Sequence, residues 1–137
     1  MSKITNSIAR IVDANFNRAK EGLRVCEDVC RFVLDEKNLT KKFKTLRHQL
    51  TSAVGSLKIL KLIDARDIAG DIGRSSNRTE LKRSGVKDIF YANAQRVKES
   101  VRVLEEMSKL ANIAASSRLK KIRYEMYALE KDFLKKV

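Results

Sequence analysis

Asp67 and Asp71 lie four apart with Gly70 between them, in the segment Ala65-Arg66-Asp67-Ile68-Ala69-Gly70-Asp71-Ile72-Gly73-Arg74. Arg66, Arg74, Arg78, Lys82 and Arg83 surround them. Two carboxylates can share a divalent cation such as Mg²⁺, and arginines with exposed backbone N–H groups can hold phosphates. A solvated basic loop with local Asp turns is the alternative. A second set of candidates occurs twice. Asn15, Arg18, Lys20, Glu21, Arg24 and Glu27 recur as Asn93, Arg96, Lys98, Glu99, Arg102 and Glu105. Over residues 13–29 and 91–107, eight of 17 positions are identical at an offset of 78. The polar residues are kept while apolar ones drift: Leu23 becomes Val101, Cys26 becomes Leu104 and Gly22 becomes Ser100. A repeat that served packing alone would be free to vary in the other direction, since cores accept many apolar combinations.

The elements that carry these residues are helical. The chain has no proline, and Ile8, Ile11, Val12, Ala19, Leu23, Cys26, Cys30 and Val33 recur at helical spacing. Asn15 projects onto this apolar stripe, with Arg18 at its border. An Asn there must find hydrogen-bond partners or cost about 1–3 kcal/mol. It either ties helix to helix or lines a polar pocket. The first helix is expected over residues 4–34, capped by Ser7 or Asn6 if its start frays. A second is expected from residue 38 to about 63, and a third over 88–111. A fourth is expected from a Ser116-Ser117 cap to the C-terminus. Residues 43–50 align with 119–126 at an offset of 76.

The repeat unit is therefore a helical hairpin. The fold expected is all-α: one domain over residues 1–137, a four-helix bundle of two pseudo-symmetric hairpins. The units span about 4–63 and 88–137, and a loop over 64–87 joins them. Such a loop in a compact domain is uncommon unless it has a function. Placing helices one and three together at the pseudo-axis would bring Asn15 and Arg18 near Asn93 and Arg96.

Composition limits the function. The 137 residues are 43% hydrophobic and 34% charged, with a formal charge of +13. That surface attracts anions. No apolar run reaches the roughly 18 residues of a membrane span, so no membrane partner is expected. The first residues lack the apolar core of a signal peptide, which points to the cytoplasm. Cys26 and Cys30 read as small core residues. No phosphate-loop, dinucleotide, nucleophile-elbow or zinc motif occurs. The single His48 cannot anchor a metal cluster. Lys and Arg are dispersed and no stacking platform is evident, so nucleic acid is disfavoured. Assembly as a homodimer stays open.

The segment Arg10 to Asp28, with its core Asp13-Ala14-Asn15-Phe16-Asn17-Arg18-Ala19-Lys20-Glu21-Gly22-Leu23-Arg24, resembles the opening signature of a small family of thiamine biosynthesis. Leu46-Arg47-His48, Ala65-Arg66-Asp67, Gly70-Asp71-Ile72-Gly73 and Ala92-Asn93 through Glu105-Glu106 extend the resemblance over nearly the whole chain. Cys26 departs from the Leu expected there, and the segment after Gly73 is more basic than expected. The resemblance implies a hydroxymethylpyrimidine-phosphate kinase, standing alone or fused to the N-terminus of thiamine-phosphate synthase. It implies ATP as donor, Mg²⁺ as cofactor, an anionic small molecule as substrate and the synthase as a partner. The phosphate-monoester nucleophile is mostly anionic near neutral pH, so no strong general base is required. The demand is for cations that bring two polyanions together. Arg18, Glu21, Arg96 and Asp71 are the catalytic candidates. Asp13, Asn15, Asn93, Arg47 and Arg66 are the substrate-binding ones, the two Asn facing an aminopyrimidine edge. Asp67 and Asp71 are the metal candidates. A nonenzymatic ligand-binding or regulatory domain beside a thiamine enzyme, a basic nucleic-acid module and a structural helical unit are the alternatives.

Overall fold

The computed structural model describes residues 5–59, 61–76 and 82–137. The expected start at residue 4 and the loop cation Arg78 lie outside them. Four α-helices form the body: α1 (Asn6–Asp28), α2 (Lys37–Gly55), α3 (Val86–Ser108) and α4 (Ile113–Leu134). No strand occurs among the described residues. Each of α1 and α3 packs on its hairpin partner, α1 and α3 pack on each other, and α2 packs on α4. The all-α expectation holds, and no described helix is long and apolar enough to cross a membrane.

Each helix buries the stripe its spacing sets. Val12, Ala19, Leu23 and Cys26 come from α1, and Phe43, Leu46 and Leu50 from α2. Val97, Val101 and Leu104 of α3 meet Leu119, Met126 and Leu129 of α4. At one end Phe90 stacks on Phe133 with centroids 3.5 Å apart, and Phe43 meets Phe90 edge-on at 5.9 Å. Cys26 and Cys30 are free and fully buried, as expected of core residues. Burial pushes the Cys30 thiol up to about 11, so it carries little thiolate near neutral pH.

The helix ends differ from expectation in four places. Thr5 caps α1, its hydroxyl accepting from the Ile8 N–H at 3.2 Å, in place of Ser7 or Asn6. The helix closes in a π-turn over Val29–Val33, and Asp35 then turns the chain with φ 50°. Helix α2 stops at Gly55 and not near residue 63, because Lys58 and Lys61 take left-handed φ of 54° and 52°. Asn112, not Ser116 or Ser117, caps α4 by accepting from the Ala115 N–H at 3.1 Å. Ser116 is buried inside the helix and donates to the Glu105 carbonyl at 2.8 Å.

Helices α1 and α3 run antiparallel. Cys26 Sγ approaches the Phe90 carbonyl at 3.8 Å, and Gly22 abuts the stretch Asn93–Val97. A Cβ at Gly22 would stand 2.7 Å from Val97 Cγ2 and 3.1 Å from the Asn93 carbonyl oxygen. Neither neighbour yields readily, since one is a β-branched methyl in the core and the other is backbone. Gly22→Ala is therefore expected to destabilise by about 1–3 kcal/mol despite its better helix propensity. Denaturant unfolding measures this, and an unchanged midpoint would mean that the helices separate freely.

Candidate functional site

The segment after α2 folds back onto α1. A 3₁₀ turn over Leu62–Ala65 buries Ala65, and Arg66 then reaches Asp13. Arg66 Nε donates to Asp13 Oδ2 and Nη2 to Oδ1, both at 2.8 Å. Asp13 is only 5% exposed. Asn17 Nδ2 adds a bond to Asp13 Oδ1 at 3.2 Å. These bonds raise the Arg66 guanidinium above its ordinary range, chiefly through the hydrogen bond to Asp13. A bidentate fork of this type fixes geometry as well as charge. It is the bolt that holds the loop over α1.

A cleft of about 510 Å³ opens beside this fork. Asp13, Asn17, Arg18 and Glu21 line it from α1, and Arg66, Asp67 and Asp71 from the loop. Arg10 of α1 adds a cation to the lining. Asp67 Oδ1 accepts from the Gly70 N–H at 2.8 Å, and Asp71 Oδ1 accepts from the Gly73 N–H at 2.9 Å. Each carboxylate thus shapes a turn with one oxygen and leaves Oδ2 without a partner among the described residues. A Cβ at Gly70 would stand 2.2 Å from Asp67 Oδ2, so any side chain there would shift that carboxylate.

Six candidates therefore meet in one cleft: Asp13, Arg18, Glu21, Arg66, Asp67 and Asp71. Asn15 is buried just behind it, where Nδ2 donates to its own helix at the Ile11 carbonyl at 2.9 Å. Arg18 Nη1 lies 3.5 Å from Asn15 Oδ1. Asn93 repeats the pattern on the Ile89 carbonyl at 2.8 Å. Neither Asn side chain ties one helix to another; each is satisfied within its own.

Three candidates lie elsewhere. Asn93 and Arg96 do not line the cleft, and Arg96 is exposed. The expected meeting of the two motif copies does not occur, for a geometric reason. In the antiparallel pair Asn93 lies across from Gly22, seven residues and about 10 Å along α1 from Asn15. Arg47 instead pairs with the buried Glu27 across α1 and α2, with Nε to Oε1 at 3.1 Å.

That pair has a counterpart that sequence reading missed. Arg123 donates to Glu105 through Nε and Nη2 across α3 and α4. Glu27 and Glu105 are 78 apart, and Arg47 and Arg123 are 76 apart, the two repeat offsets. The signal was present in both alignments, but only pairing across them reveals it. Arg24 and Arg102 meet Asp28 and Glu106 at 3.5 and 3.2 Å, as i,i+4 pairs on the surface. Arg10, Ser7 and Asn17 also line the cleft and were not singled out by sequence.

The cleft has cations and carboxylates with unspent oxygens, and Ser7 is its one Ser, Cys or His among the described residues. Its charged lining is three arginines and four carboxylates, so it suits an anion that enters together with a cation. A family model described as the ThiD2 family matches residues 10–132, nearly the whole chain. The chain belongs to the ThiD2 family. All of the cleft residues named above except Ser7 fall inside the matched span. The chain is 42% identical over 129 residues to a thiamine-phosphate synthase of Synechocystis sp., covering 93% of this chain and 36% of that protein. It is 41% identical over 133 residues to a thiamine-phosphate synthase of Nostoc sp., covering 96% and 37%. A thiamine-phosphate synthase of Rhodopirellula baltica is 37% identical over 125 residues, covering 90% and 33%. This ThiD2-family chain thus spans about a third of the length of these curated relatives. No solved structure matches.

Proposed function

We propose that this chain is a phosphotransferase of thiamine biosynthesis that converts hydroxymethylpyrimidine phosphate to the diphosphate with ATP. The observation that carries this reading is the cleft itself, to which α1 brings Arg10 and Arg18 and the loop brings Arg66, Asp67 and Asp71. Membership of the ThiD2 family and likeness to part of several thiamine-phosphate synthases support the pathway. The substrate's phosphate oxygen attacks the γ-phosphorus of ATP, the bond to the β-γ bridging oxygen breaks, and ADP leaves. The nucleophile needs no base, so the residues' work is to place two polyanions in line and support the spread charge. Arg18, held only by a long contact to Asn15, is free to swing onto a phosphate. Arg66 is fixed by Asp13 and offers directed N–H groups. Glu21 lines the same cleft and acts through its charge on the Arg66 guanidinium.

Among the described residues no three metal-ligating side chains gather at one point. A Mg²⁺ ion fits all the same in the manner usual for nucleotide enzymes, through one or two carboxylates together with phosphate oxygens. The unspent Oδ2 atoms of Asp67 and Asp71 are the groups that would hold it. Bound there, it would neutralise phosphate charge.

The Arg18→Ala variant tests the assignment of the cleft. Losing one charge-assisted phosphate contact should lower kcat/KM for hydroxymethylpyrimidine phosphate about tenfold or more. Arg96→Ala, at the matching position, should stay within about twofold, since Arg96 does not line the cleft. Steady-state kinetics with both variants checks this, and equal losses would place the substrate elsewhere. A second reading is a nonenzymatic ligand-binding domain that serves a synthase. Its support is that the relatives carry the matching third within longer chains. Such a domain would bind the pyrimidine phosphate without turnover and could meet the synthase in trans.

A further inference from the structure

The two hairpins carry the same charged residues but treat them differently. In the second, Lys98 Nζ contacts both oxygens of Glu130, at 2.8 and 3.1 Å. The Tyr127 ring lies beneath the ammonium at 5.1 Å. Arg123 uses two nitrogens on Glu105. Lys98, Arg123 and Tyr127 line one depression of about 340 Å³ between α3 and α4. Every cation there has an internal anion.

The repeat places Lys20, Arg47 and Thr51 at the corresponding positions between α1 and α2, by the offsets of 78 and 76. Glu130, however, corresponds to Val54, and Tyr127 to Thr51. Lys20 is half-buried and makes no ion pair among the described residues; its one contact is the Phe16 ring at 5.0 Å. Arg47 spends only Nε on Glu27, and its two Nη atoms have no partner among the described residues. The Glu130 carboxylate thus marks, by internal symmetry, where an anion would sit beside Lys20. The first hairpin has both cations and lacks the acid that neutralises one of them in the second.

We infer that Lys20 and Arg47 form an anion site in the groove between α1 and α2, built for a phosphate group, and that the second hairpin's equivalent is filled by its own Glu130. Glu27 balances the Arg47 charge, so the pair leaves one positive charge, on Lys20, and the unspent Arg47 N–H donors suit an oxyanion with several acceptor oxygens, such as phosphate. The inference follows from the repeat and needs no turnover, so it stands or falls separately from the kinase reading. The phosphate is either free or carried by a nucleotide.

Isothermal titration of the full chain at moderate salt, with inorganic phosphate and with metal-free ATP as probes, tests the site. Lys20→Met should weaken binding of at least one probe tenfold or more while the thermal transition stays in place. The paired variant Lys98→Met/Glu130→Leu, which removes an already neutralised pair, should bind that probe within twofold of the parent. Val54→Glu, which places an acid at the buried position corresponding to Glu130, should block the probe. If that variant does not fold, the contrast between Lys20 and Lys98 decides alone. A probe lost in Lys20→Met identifies itself as the phosphate source. No binding of either probe to the parent, or Lys20→Met binding like the parent, or equal losses in both hairpins, would overturn the site.

Discussion

Asp67→Asn and Asp71→Asn should each lower turnover with Mg·ATP by about a hundredfold or more and leave the melting temperature within about 2 °C. The fold should be spared because both side chains are exposed and each shapes its turn by accepting one backbone N–H, from Gly70 or Gly73. The Asn amide oxygen accepts the same bond, and Asn is at home in such turns. What the substitution removes is the carboxylate's negative charge, on a residue that lines the cleft. A hundredfold loss corresponds to about 2.7 kcal/mol of transition-state stabilisation, within what a charge-neutralising contact on a transferring phosphoryl group supplies. Parallel kinetics and thermal melts read both effects. Normal turnover in both variants would reduce the loop to a connection between hairpins.

Glu105→Gln should have the opposite signature: a loss of stability with activity per folded molecule almost unchanged. The Glu105 and Arg123 side chains are 7% and 11% exposed and are joined by two bonds. Glu105 raises the Arg123 guanidinium well above its ordinary range, mainly through the hydrogen bond between them. Removing the acid leaves a buried cation uncompensated, which costs about 3–5 kcal/mol in such sites. For a domain of this size that is a fall of about 10 °C or more in melting temperature. Glu27→Gln should cost less. Arg47 holds Glu27 through one nitrogen only, and at 19% exposure it retains more water. A larger effect at Glu27 than at Glu105 would mean that the single bond is the stronger lock.

Much of this was legible in the residues, and the failures have physical causes. The apolar stripes fixed four helices, because nothing competes with burial of Leu23, Phe43, Val101 or Met126. The repeat fixed their grouping into hairpins. The direction of α1 against α3 was not legible, since a stripe shows which face is buried but not which way the neighbour runs. That direction separates Asn93 from Asn15. Caps were misplaced where tertiary contacts outrank local propensity. Ser116 is a good cap residue, yet its hydroxyl is taken by the Glu105 carbonyl, and Asn112 one turn earlier is free to cap. Asp67, Asp71 and Arg66 could be chosen as a cluster from spacing alone. That Asp13, 53 residues away, would bolt them to α1 could not.

The most direct measurement is transfer itself. Purified protein, Mg·ATP labelled at the γ-phosphate and hydroxymethylpyrimidine phosphate are mixed, and the label is followed. If the cleft of α1 and its loop is a phosphoryl-transfer site, label appears in the pyrimidine diphosphate with one ADP formed per diphosphate, and both are lost in Asp71→Asn. Tight binding of the pyrimidine phosphate with no label transferred under any donor would contradict the kinase and leave the ligand-binding domain as the function of this cleft.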